Sequence, residues 1–313
     1  MPIQPRRICT TMALVATLAA AGAAQAATAL TIGFTPVTGN LAAYVATDEG
    51  FFAKQGVDAK MIEIPIGTDI PAALVSDSIQ IGAPTPTVVL QANDAGLDLV
   101  MLTATSVFPN PDPGGLVARF GSDIKTPKDV VGKRVGVPGL NGFLHVMFRR
   151  YLKLQGVDDS GVKYVEVPFP RFPDALKSGN IDAYPAVDPF FSRAIATKAG
   201  YLVADWSQGI PDGTLTVVLV ATRKWSTDHP DAVMGFRAAM REATEFINVP
   251  ANEPAWRKSL AKHTGLPPPV VANIAKPNLG VDITPEQVKF WIDICHEQNM
   301  IKGNPDPASV IFK

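Results

Sequence analysis

Short apolar runs alternate with amphipathic segments along most of this chain. "ALTIGF" (29–34) reads as a first strand, and "LAAYVATDEG" as the helix that follows it. "DAKMIEI" (58–64), "IQIGA" (79–83) and "LDLVMLTA" (97–104) read as further strands. The segments "PAALVSD" and "PTVVLQAND" between them read as helices. Buried apolar strands separated by helical segments predict an α/β fold with mostly parallel strands. "GGLVARF" (114–120) then leaves this first unit, and "KRVGV" (133–137) starts a second one. From Asn141 to Leu154 the stripe Phe143, Leu144, Met147, Tyr151 and Leu152 predicts a helix. "VKYVEV", "FPDALKSG", "IDAYPAV" and "YLVADW" continue the alternation.

"TLTVVLVATRKW" (214–225) is the longest β-branched run and predicts a strand returning to the first unit. Beyond Pro230 the pattern is nearly all helical, with Val233, Phe236, Met240, Ala243 and Ile247 on one face. Two sequences carry helix-start chemistry. Thr126, Pro127 and Asp129 are spaced as cap, first helical residue and third, and Thr284, Pro285 and Gln287 repeat the arrangement. One strand leaving a unit and another returning predicts two lobes joined by two crossings near 114–120 and 214–221. The expected domains are residues 27–115 with 214–313 as one lobe, including the helical block, and 116–213 as the other.

The first 26 residues change the picture of where the protein works. Arg6 and Arg7 precede an uncharged, Ala-rich stretch, and Ala24-Gln25-Ala26 supplies a small-x-small cleavage pattern. That is a secretory signal peptide, and the arginine pair also fits a twin-arginine signal. The apolar run is too short and Ala-rich to span a membrane well. Without it the 28 basic residues become 26 against 29 acidic ones, a net charge of −3. That balance argues against a nucleic-acid partner or a strongly basic membrane-binding surface. Cys295 is then the single remaining cysteine and is expected in the core, so no internal disulfide forms.

The four histidines, His145, His229, His263 and His296, show no metal-ligand spacing, and no Gly-x-Ser-x-Gly elbow occurs. The glycines Gly136, Gly139 and Gly142 do not match a dinucleotide fingerprint. The reading is therefore a non-enzymatic protein with no cofactor and no metal.

Four segments carry a resemblance: "LAAYVATDEGFFAKQGVDAKMIEIPIGTDIPAALVSDSIQIGAPTPTVVLQA", "SDIKTPKDVVGKRVGVPGLNG", "FPDALKSGNIDAYPAVDPF" and "HPDAVMGFRAAMREATEFI". In these the chain resembles the periplasmic binding proteins of nitrate, sulfonate and taurine ABC importers, which share a fold with thiamine-pyrimidine-precursor binding proteins. The resemblance implies two Rossmann-like lobes of the type II periplasmic binding protein kind, with a ligand cleft between them. It implies a monomer that captures a small organic anion by lobe closure and delivers it to an ABC permease and ATPase in the inner membrane. A receptor presenting ligand to a sensor system would look the same, and an aromatic carboxylate or a pyrimidine precursor is the alternative ligand.

In open α/β sheets ligands bind beyond the carboxyl ends of strands, where helix N-termini offer unpaired N–H groups. Strand-to-helix turns here present Thr38 and Asn40, Thr68, Thr85, and Leu140 with Asn141. Thr85 and Asn141 would also serve as plain helix caps worth about 1 kcal/mol each. Arg171 precedes a helix of the second lobe and suits a sulfonate or carboxylate at the cleft mouth. Asp188 aligns with the acid of the family's tryptophan-acid-proline segment, and is placed to accept an ammonium or to cap a helix. The family's tryptophan is missing there, Pro185 and Val187 standing nearby. Phe108, Phe143, Phe169, Phe172, Phe190 and Phe191 fall at the same turns, and two of them in the cleft would favour an aromatic or extended apolar anion over nitrate.

Overall fold

A computed structural model describes residues 27–108, 114–207 and 209–313, so the segment expected to be a signal peptide lies outside the described residues. The chain forms two five-stranded sheets. In the first, β1 (Thr28–Phe34), α1 (Leu41–Asp48), α2 (Phe51–Lys54), β2 (Val57–Glu63), α3 (Ile70–Val75), β3 (Ile81–Gly82), α4 (Pro86–Asp94) and β4 (Leu99–Val107) follow one another. The second contains β5 (Gly115–Arg119), β6 (Arg134–Val137), α5 (Phe143–Leu154), β7 (Lys163–Glu166), α6 (Phe172–Lys177), β8 (Ala183–Ala186), α7 (Phe190–Ala196) and β9 (Gly200–Ala204). The chain then returns through β10 (Leu215–Thr222) and ends in α8 (Arg223–Asp228), α9 (Pro230–Asn248), α10 (Glu253–Thr264), α11 (Pro268–Val271) and α12 (Pro285–Glu297).

The sheet orders, β2-β1-β3-β10-β4 and β7-β6-β8-β5-β9, repeat one plan. In each, the first three strands run parallel and the fourth runs antiparallel to its neighbours. This is the two-lobed α/β architecture that the alternation predicts. β5 lies wholly in the second sheet and β10 wholly in the first, so the crossings precede these strands instead of running through them at 114–120 and 214–221 as expected. No described helix is long and apolar enough to cross a membrane.

Strand burial follows position. β1 sits between two parallel partners and has Leu30, Ile32 and Phe34 in the core, whereas edge strand β2 has one buried residue, Val57, and the rest exposed or half-buried. β4 is nominally the other edge, yet eight of its nine residues are buried. Residues 278–281 lie along it: the Ala104 N–H donates to the Val281 carbonyl and the Val107 N–H to the Asn278 carbonyl, at 3.2 and 3.0 Å. An extended segment thus covers an edge that would otherwise expose its backbone groups.

Both predicted helix starts form capping boxes, at Thr126 with Asp129 and at Thr284 with Gln287. The first opens only a single 3-10 turn, Pro127–Val130. The stripe on α9 is buried at all five expected positions. Two further expectations need correction. The run to Trp225 does not stay a strand: the Thr222 hydroxyl accepts the Trp225 N–H at 3.1 Å and starts α8. The helix expected from Asn141 begins at Phe143, because Gly142 is its N-cap and Asn141 takes a left-handed conformation, φ 64°. Asparagine tolerates that region better than most residues with a side chain.

Candidate functional site

Between the two sheets lies a cavity of about 270 Å³. Strand-to-helix turns of both lobes close it, as the position of loops at the carboxyl ends of parallel strands requires. From the first lobe come Thr35, Thr38, Thr68 and Thr85. The second contributes Gly139, Gly142, Phe143, Phe169 and Asp188. The floor is made by Ser106 and Thr216 on β4 and β10, whose hydroxyls hydrogen-bond each other at 2.6 Å. Residues 275–278, from the stretch that covers β4, complete one side.

The N-termini of α4 and α5 both open onto this space, through Thr85 and through Gly142 and Phe143. Neither N-cap makes a side-chain cap bond, since the Thr85 hydroxyl pairs instead with that of Thr87 at 3.1 Å and glycine has none to offer. First-turn N–H groups of a helix lack intrahelical partners, and the helix dipole adds partial positive charge there. The site therefore offers anion-favouring groups without a buried cation. Lys276, exposed at the rim and bonded to Asn248 at 2.7 Å, is the one basic residue of the lining among the described residues. The walls are largely apolar, with Val37, Val88, Phe108, Phe143, Phe169 and Val217 among them.

Asp188 is buried at this site. Its Oδ1 accepts from the Ser192 N–H and hydroxyl at 3.0 and 2.7 Å, and its carbonyl accepts from the Thr38 hydroxyl of the opposite lobe at 3.1 Å. Burial pushes its carboxyl above the usual carboxylate range, with the Ser192 bonds acting the other way. A raised folded-state value penalises the ionised form. The carboxyl's contribution to stability is thus full below the unfolded value near 3.9 and lost as pH rises through the folded one. Asp188→Asn keeps an acceptor for Ser192 and is expected to raise the apo melting temperature by a few degrees at pH 7, with the gain vanishing near pH 4. Melting curves of both proteins between pH 4 and 8 check this, and an equal gap at every pH would refute it.

The structure distributes the sequence-derived candidates unevenly. Thr68, Thr85 and Asp188 line one cavity. Asn40 is fully buried behind it, its amide donating to the Thr35 carbonyl at 2.8 Å, so it braces the turn that carries Thr35 to Thr38. Tyr44 reinforces the same turn by donating to the carbonyls of Thr35 and Val37. Leu140 and Asn141 belong to the lip of the second lobe: Leu140 borders a shallow outer groove, and the Asn141 carbonyl accepts from Gln91 of the first lobe. Arg171 is exposed at the start of α6 and does not contribute to the cavity lining. Of the aromatic residues, Phe108, Phe143 and Phe169 line the cavity, while Phe172 and Phe190 are fully buried in the second lobe.

Ser106, Thr216 and Asn278 are lining residues that sequence reasoning missed. Asn278 lies in "AKPNLG", a Pro-Asn-Leu-Gly loop interrupting an otherwise helical block, and that break was the available signal. The histidines are dispersed, and no group of three metal-ligating side chains occurs among the described residues. Cys295 is buried, which pushes its thiol up to about 12.

The NMT1-like family matches residues 23–263 of this chain. The nitrate import ATP-binding protein NrtC of Synechocystis sp. is 25% identical over 234 residues, 70% of this chain and 35% of that protein. A putative aliphatic sulfonates-binding protein of Escherichia coli is 26% identical over 252 residues, 78% of this chain and 74% of that one. The chain thus spans about a third of the first relative and about three quarters of the second. Among solved structures, the alkanesulfonate-binding protein SsuA from Xanthomonas axonopodis pv. citri, bound to MOPS, superposes with a TM-score of 0.77. At 21% identity, covering 91% of this chain and 98% of that one, this likeness establishes the fold.

Proposed function

This chain belongs to the NMT1-like family, and from that premise we propose that it is the periplasmic solute-binding component of an ABC importer, taking up a small organic anion with an apolar body. Binding, not catalysis, is its activity. One observation carries the ligand class: the cavity between the lobes pairs two helix N-termini and several hydroxyls with walls of valine and phenylalanine, and its basic residue sits at the rim. A single negative group is accommodated by N–H donors and hydroxyls, and the apolar body by Phe108, Phe143 and Phe169. A bare inorganic anion would leave those walls facing water and gain nothing from them.

The anionic group meets Thr68, Thr85 and the first turns of α4 and α5, and the lobes close over it by rotation about the two connections that join them, one before β5 and one before β10. Closure couples ligand capture to a shape that an inner-membrane permease and its ATPase read, the protein acting as a monomer.

A melting-temperature panel tests this reading. It contains benzoate, phthalate, alkanesulfonates of increasing chain length, taurine, nitrate and bicarbonate. A ligand at a hundred times its Kd adds about 2.7 kcal/mol, an easily read shift. Aromatic carboxylates or longer alkanesulfonates are expected to shift the transition, and nitrate and bicarbonate not. A shift with nitrate and with no organic anion would overturn the ligand class.

A further inference from the structure

The lip of the second lobe, residues 138–142, is held by hydrogen bonds from three different elements. Glu166, the last residue of β7, accepts the Leu140 N–H at 2.7 Å. His145 Nδ1, in the first turn of α5, accepts the Asn141 N–H at 2.8 Å. Gln91 Nε2, on α4 of the opposite lobe, donates to the Asn141 carbonyl at 3.2 Å. Asn141 stands at φ 64°, in the left-handed region that asparagine tolerates, and both of its backbone polar groups are bonded there. The two polar groups of this residue's backbone are thus divided between the lobes, the N–H taken by its own and the carbonyl by the other.

His145 is buried, and its Nε2 has no hydrogen-bond partner. Its polar chemistry within the described residues is therefore committed to Asn141. Accepting through Nδ1 requires the neutral tautomer with the proton on Nε2. The surroundings support that form: burial and the Arg149 guanidinium one turn on hold the imidazole down to about 4, against an opposing pull from Asp159. Arg149 is itself paired with Asp159 at 2.8 Å, and Tyr164 on β7 donates to Asp159 while its ring packs edge-on against the imidazole at 4.3 Å. The position is the third of the helix, where glutamate or glutamine side chains commonly reach back to backbone N–H groups.

We propose that His145 is the positioning residue of an interlobe latch: its unprotonated Nδ1 fixes the Asn141 backbone so that the carbonyl faces Gln91 and holds the lobes closed. This rests on the two-lobe clamp described above and adds to it a named contact that opening must break. Protonating Nδ1 turns the acceptor into a donor, frees the Asn141 N–H and withdraws the carbonyl from Gln91. The closed form is thus favoured above the imidazole's titration and loses ground below it.

The test uses the ligand-free protein, so that its result is independent of which anion is bound. Nuclear magnetic resonance follows the Asn141 amide, the Gln91 side-chain amide and the His145 ring, while labels at Val75→Cys and Val131→Cys report the interlobe distance. Both positions are exposed and lie on different lobes. In the parent protein the Asn141 and Gln91 signals are expected to titrate together with the His145 ring, and the distance to lengthen with them. His145→Gln keeps an acceptor and should retain Asn141 protection while losing the pH step. His145→Ala should speed Asn141 exchange by about tenfold at pH 7, and Gln91→Ala should lengthen the distance while leaving that protection intact. Unchanged Asn141 protection in His145→Ala, or the same pH step in His145→Gln, overturns the latch. A distance unmoved in Gln91→Ala also overturns it, without touching the clamp, which a ligand-induced change in the same distance reads separately.

Discussion

Trp291→Ala is expected to cost about 3–5 kcal/mol of stability, the range for removing a large buried aromatic side chain. Trp291 is wholly buried, its indole N–H donates to the Leu215 carbonyl at 3.0 Å, and its ring packs on Phe143 at 5.6 Å. One turn earlier on α12, Gln287 donates to the Gly213 carbonyl at 2.9 Å. The helix is thereby fastened to the chain just where it re-enters the first sheet. Its other end reaches the second lobe, where Glu297 pairs with Arg150 and Lys153 at 2.5 and 3.0 Å and Gln298 donates to the Val146 carbonyl at 2.8 Å. α12 thus lies against both lobes. Trp291→Ala therefore loosens the backing of Phe143, a wall of the cavity, and is expected to weaken ligand binding as well.

Trp291→Phe retains a ring and should cost far less, about 1 kcal/mol for the lost N–H bond plus some packing. Glu297→Gln should cost least, because its ion pairs are solvated and such pairs are worth about 0–1 kcal/mol. Urea unfolding of the three variants gives the order directly. Near-parental stability in Trp291→Ala would show that the terminal helix is not integral to the fold.

Gly136→Val is expected to lower stability by about 1–3 kcal/mol through overpacking. A Cβ at this position would stand 2.7 Å from Ile181 Cδ1 and 2.9 Å from Phe172 Cε1. The phenylalanine ring has nowhere to go, since Phe172 is fully buried and stacked on Tyr184 at 4.4 Å. β6 is also held on both sides, pairing with β7 at Val165 and with β8 at Ala183. The strand runs straight into Pro138 and Gly139 of the cavity lining, so displacement of β6 should reach the site. A urea midpoint lowered in Gly136→Val, with a smaller drop in Gly136→Ala, is the expected result. A midpoint unchanged in both would mean that the second lobe relaxes around the added atoms.

Much of the fold was legible because local pattern decides it. Strand alternation, the α9 stripe and the two capping boxes depend on residues a few positions apart, and these appear where the sequence puts them. The departures share a cause. At Thr222 a hydroxyl diverts the backbone into a helix within an apolar run, and at Asn141 the N-cap passes to Gly142 while His145 holds Asn141 as a left-handed residue. Both are choices between locally adequate alternatives, which pattern alone does not rank.

The sequence by itself determined an α/β protein with candidate groups at strand-to-helix turns, and Thr68, Thr85 and Asp188 among them line the cavity. Only the tertiary structure decided which turns share a cavity. The contacts that define it join residues far apart in the chain: Thr38 to Asp188, 150 positions on, and Ser106 to Thr216, 110 positions on. It also put Asn40 behind the wall and Arg171 on the open surface, and it brought residues 275–278 alongside β4. Periodicity records which face of an element is apolar, while the identity of the element that covers that face is fixed by packing across the whole chain.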